Sequence, residues 1–133
     1  MMRLGLRIFV AFGILLLMPL AASAQVLPPG SVWENQRTST LSVASVTGNH
    51  FDGWFINRAA GFQCQNFPYP ATGTILPNGA ITFTVNFTPC QTVTIWKGRV
   101  TGSLMPTKWT LYYQGVQRMT GADFFKRVQF FLF

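Results

Sequence analysis

The sequence predicts an all-β domain, an eight-stranded antiparallel up-and-down β-barrel, on three observations. Short runs rich in Val, Ile, Thr and Phe recur along the chain, separated by Gly, Pro and Asn. Inside those runs, side chains of contrasting character alternate with the period of two that a strand imposes. No stretch carries the 3.6-residue periodicity of an amphipathic helix of useful length. Eight strands with short connections close into a barrel, which leaves no edge exposed.

The first 24 residues are set apart as a secretory leader. Arg3 and Arg7 precede an apolar run over 8–18, and Ala22-Ser23-Ala24 is a small-residue cleavage site. That run is too short to span a bilayer, and no later run would do so, so no membrane association is expected after cleavage at Ala24. Residues 25–133 are then expected as one domain, secreted or periplasmic.

The strands are expected over 31–35, 39–46, 51–57, 71–76, 80–87, 92–100, 108–113 and 123–128. The first puts Trp33 and Asn35 on one face, and the third puts Phe55 with Asn57 and Trp54 on the opposite side. Pro77-Asn78-Gly79 marks the hairpin between the fourth and fifth, because Asn-Gly tolerates the positive φ values of a tight turn. In the fifth, Ile81, Phe83, Val85 and Phe87 alternate with Thr82, Thr84 and Asn86. Lys97 belongs in water, so Thr92, Thr94 and Trp96 of the sixth face inward. By the same rule Trp109 and Leu111 oppose Lys108, while Asp123 and Phe125 oppose Phe124. Polar residues thus share the inward faces with aromatics, as in pockets for small ligands.

Charge excludes some functions. The chain carries +7; loss of Arg3 and Arg7 lowers this to +5, spread singly except at Lys126-Arg127. Nucleic-acid binding needs a clustered basic stripe, and none is present. Asp123 has no second carboxylate or inward His to work with, which argues against an enzyme. Cys64 and Cys90 are expected to form a disulfide in an oxidising compartment; a redox pair or metal ligands are the alternatives, but there is no Cys-x-x-Cys and only one His. Taken alone, Asp123 could simply pair with Lys126 or Arg127, Asn35 and Ser39 could be turn formers, and the apolar tail 130–133 needs cover.

In their fixed order, Trp33 to Thr40, Thr94 to Gly98, Trp109 to Leu111 and Gly121 to Phe125 resemble the motifs Trp-x-Asn-Gln-x-x-Ser-Thr, Thr-x-Trp-x-Gly, Trp-x-Leu and Gly-x-Asp-x-Phe of the avidins. The segment Ile56-Asn57-Arg58-Ala59-Ala60-Gly61, followed by Cys64-Gln65-Asn66 and Pro68-Tyr69-Pro70, is similar to the disulfide-bearing dimeric bacterial avidins of the rhizavidin type. The resemblance runs from Val32 to Val128 and implies biotin as a bound ligand, with no cofactor and a homodimer as the assembly. It implies that Asn35 and Ser39 donate to the ureido carbonyl and that Asp123 and Asn57 accept the ring N–H groups. Thr94 would meet the sulfur, Trp96, Trp109 and Phe87 would wall the bicycle, and the carboxylate would meet Thr92 and backbone N–H groups near Ala60 and Gly61. A barrel of this kind holding a different small heterocycle is the alternative.

Departures from the family pattern matter at the ligand site and in the assembly. Phe55 stands where the family usually supplies a Tyr hydroxyl as a third carbonyl donor, and Phe87 where a Trp is common. Residues 114–120 contain none of the Trp that tetrameric avidins lend to a neighbouring pocket, which favours a dimer with the disulfide fixing the lid loop instead.

Overall fold

The computed structural model describes residues 10–14 and 22–129; most of the expected leader, with Arg3 and Arg7, and the apolar tail 130–133 lie outside them. Eight strands follow one another in space as in sequence and close into a barrel: β1 (Val32–Glu34), β2 (Thr40–Thr47), β3 (His50–Ile56), β4 (Pro68–Ile75), β5 (Ala80–Phe87), β6 (Thr92–Arg99), β7 (Leu104–Tyr113) and β8 (Val116–Val128). Every pairing is antiparallel, including the closure of β8 on β1. A five-residue helix, α1 (Ala22–Val26), precedes the barrel. It is anchored by Ser23, whose hydroxyl donates to Asn49 Oδ1 at 2.8 Å, and is followed by the fully buried Leu27.

The turns follow from the residues that can hold them. Gly79 has φ +92°, and the Asn78 side chain accepts from the Ala80 N–H at 3.0 Å, closing the expected hairpin. Gln114 (φ +48°) and Gly115 (φ +78°) make a second two-residue hairpin that starts β8 at Val116, earlier than the sequence pattern predicts. The expected start of β4 also moves, back to Pro68. Pairing of β4 with β5 begins only at Ala71, so Pro68 and Pro70 face no β5 acceptor and their missing N–H groups cost no ladder bond there. Pairing of Pro106 with Phe124 likewise extends β7 back to Leu104.

Alternation puts an aromatic core through the barrel. Ile81, Phe83, Val85 and Phe87 are all buried, and Phe83 meets Phe51 and Phe125 edge-on, each with centroids 6.1 Å apart. Phe83 also lies flat against Trp96, 4.8 Å away at 9°. Burying this surface, at about 25 cal/mol per Å², is what holds the barrel closed. Along β5 the core ends at Phe87, beside an open cavity.

Candidate functional site

The cavity occupies one end of the barrel and has a volume of about 550 Å³, within the range of small-molecule sites. Of the twelve residues that the sequence singles out for a ligand, eleven line it: Asn35, Ser39, Phe55, Asn57, Gly61, Phe87, Thr92, Thr94, Trp96, Trp109 and Asp123. Ala60 is the exception. It stands exposed on the rim, because the chain turns at Asn57, whose Oδ1 accepts from the Ala59 N–H at 3.0 Å, and Ala59 takes the inward place.

Local hydrogen bonds fix the polar side chains. Asn35 Oδ1 accepts from the Arg37 and Ser39 backbone N–H groups, both at 3.0 Å, which leaves its amide N–H groups for the cavity. The Ser39 hydroxyl accepts from the Arg58 N–H at 2.9 Å. Its own proton reaches only toward Asn57 Oδ1 at 3.4 Å, long for a hydroxyl donor and easily redirected. Asn57 donates through Nδ2 to the Gln63 carbonyl at 3.2 Å, which holds its Oδ1 as an acceptor. Asn35, Ser39, Thr94 and Asp123 are all buried. The aromatic wall is continuous: Phe55 lies 4.7 Å from Trp96 and 6.1 Å from Phe87.

Asp123 carries the one charge buried among these groups. Its Oδ2 accepts from Trp96 Nε1 at 2.8 Å. Its Oδ1 accepts from Gln36 Nε2 and Arg37 Nε, each at 3.2 Å. Neither Lys126 nor Arg127 is its partner; Arg37 is, with a half-exposed guanidinium set against a buried carboxylate. Gln36 also bridges to β8 itself, donating to the Ala122 carbonyl at 3.0 Å and accepting from the Phe124 N–H at 2.8 Å. Where β1 ends at Glu34, this side chain continues the ladder and holds Asp123 in place.

The sequence reading missed several lining residues. The expected disulfide between Cys64 and Cys90 is formed and ties the loop after β3 to the 3₁₀ turn Thr88–Cys90 after β5. On that loop Phe62 leans edge-on against Trp109, with centroids 6.1 Å apart at 87°, and Gln63 joins the lining beside it. An aromatic in an irregular loop carries no strand period to reveal which way it points. Gly121 does not line the cavity itself but shapes it through Trp109. A Cβ there would lie 2.3 Å from Trp109 Cζ2, so the bare backbone is what lets the indole lie against β8.

The sequence profile of the avidin family matches residues 23–128. Afifavidin from Afifella pfennigii is 42% identical over 93 residues, which is 64% of this chain and 58% of that protein, so the chain spans little more than half its length. Among solved structures, the bradavidin2–biotin complex superposes with a TM-score of 0.71 at 42% identity, covering 77% of this chain and 99% of that one. The rhizavidin–biotin complex gives 0.71 at 31% identity, with coverage of 77% and 94%.

Proposed function

The chain belongs to the avidin family, and from that premise we propose that it binds biotin non-covalently in the mouth of the barrel and catalyses no reaction. The observation that carries this is the fixed polarity of four groups at the buried end of the cavity. Asn35 keeps its amide N–H groups and Ser39 a weakly held hydroxyl proton for donation, while the Asp123 carboxylate and Asn57 Oδ1, already bonded to protein donors, keep lone pairs for acceptance. A cyclic urea needs that set: donors for its carbonyl oxygen and acceptors for its two N–H groups. The carboxylate does more than accept, because it polarises the ureido group and strengthens the bonds from Asn35 and Ser39. Trp96, Trp109 and Phe87 then wall the bicycle, Thr94 meets the sulfur, and Thr92 with the Gly61 backbone receives the tail. Phe62 covers the wall from above, on a loop the disulfide holds down.

Asp123→Ala and Trp109→Ala are expected to abolish biotin binding while the far-ultraviolet spectrum of the barrel is kept. Unchanged binding in both refutes the proposal. The missing hydroxyl at Phe55 favours one second reading, a flat heterocycle other than biotin; a competitor that displaces biotin at lower concentration than biotin itself would establish it.

The assembly we infer is a dimer, since Phe62 of the same chain covers Trp109 and residues 114–120 hold no Trp to lend. A tetramer by light scattering overturns this. Export follows from the leader, and sequencing of exported protein is expected to begin at Gln25; retention of Ser23 refutes cleavage at Ala24.

A further inference from the structure

On β8 the inward residues are Asp123, Gly121 and Met119, and the period of two sends Arg118 outward with Thr120, Ala122 and Phe124. The register breaks that rule. Leu111 pairs with Met119, but Tyr112 pairs with Gln117, so Arg118 is the extra residue of a β-bulge. Bulges at barrel rims re-aim side chains, and here Met119 and Arg118, consecutive in sequence, both line the same cavity. The Arg118 guanidinium lies over the Tyr113 ring, 5.9 Å from its centroid, and Tyr113 pairs in register with Thr92. Arg118 is thus set beside the tail end of the cavity, separated from Asp123 by roughly 15 Å of strand.

Its charge is available. The other cation lining the cavity, Arg37, is committed to Asp123 at 3.2 Å. Among the described residues, no carboxylate lies within ion-pairing distance of Arg118.

The geometry points to Arg118 as a specificity-determining residue that recognises a free carboxylate on the ligand tail. The inference rests on the biotin reading and deepens it. The preferred ligand class is the free acid, and a ligand whose tail is an amide, as when joined to a protein lysine, is disfavoured. A guanidinium pairs with a carboxylate through two parallel charge-assisted bonds, whereas a neutral amide oxygen offers neither the charge nor the second acceptor. Because Arg118 is exposed at the rim, the expected preference is modest, roughly fivefold.

The test compares biotin with its primary amide on the wild-type protein, Arg118→Gln and Arg118→Lys. Wild-type protein is expected to prefer the acid by roughly fivefold in about 50 mM salt and to lose most of that preference in about 500 mM salt. In Arg118→Gln the ratio falls to near one, and in Arg118→Lys part of it survives. A ratio near one in wild-type protein, or an unaltered ratio in Arg118→Gln, overturns the assignment while leaving biotin binding intact. Failure of wild-type protein to bind either ligand overturns the biotin reading, and this inference with it.

Discussion

Gly121→Ala is the perturbation whose effect the structure fixes most closely. The added methyl carbon would sit 2.3 Å from Trp109 Cζ2, 2.5 Å from Cε2 and 2.9 Å from Nε1. Ordinary contact between carbons begins near 3.5 Å, so the indole must move by about 1 Å. It cannot rotate aside cheaply, since it is buried, paired in register with Gly121 and in edge contact with Phe62. Gly121 shares the inward face of β8 with Asp123, so the displacement is into the ligand cavity. Overpacking of this kind costs typically about 1–3 kcal/mol of stability. A wall advanced by about 1 Å lowers biotin affinity by at least about tenfold, because displaced contacts must be restored at similar cost. Thermal unfolding gives the first quantity and calorimetric titration the second. A variant with the wild-type melting temperature and wild-type affinity would refute the argument that the bare backbone at Gly121 shapes the pocket.

Three further outcomes are expected. Phe55→Tyr should tighten biotin binding by about tenfold, by adding a third donor to the ureido oxygen in a dry site; unchanged or weaker binding in a competition assay sinks this. Replacing both Cys64 and Cys90 by Ser should lower stability by about 2–4 kcal/mol in denaturant titration and speed biotin release, since the lid loop is freed at one end; release at the wild-type rate contradicts the lid role. Phe62→Ala should also raise the release rate, by about tenfold or more, with little change in melting temperature because Phe62 is only partly buried; release as slow as in the wild type shows that Trp109 needs no cover.

The period of two makes most of the barrel legible in the sequence, because each strand has one face in the core and a slip of one residue would expose it. That is why the inward placement of Trp96, Trp109 and Asp123 was readable from Lys97, Lys108 and Phe124 opposite them. Where the period fails, the reading fails too. Arg118 faces the cavity only because β8 carries an extra residue, and nothing in the surrounding residues announces a bulge. Phe62 and Ala60 lie on a loop whose course is set by the Asn57 side chain and the disulfide, not by alternation. Arg37 looked like one scattered charge among many. Its pairing with Asp123 depends on a contact across 86 residues of chain, which closure of the barrel creates and local sequence does not encode.

The central claim is that the donors and acceptors at the buried end of the cavity form a biotin site. Calorimetric titration of the disulfide-bonded protein with biotin tests it most directly. Saturation at one ligand per chain, with tight binding that Asp123→Ala abolishes, is the predicted result. No heat and no rise in melting temperature in excess biotin would contradict it, leaving an avidin barrel whose polar groups serve another ligand.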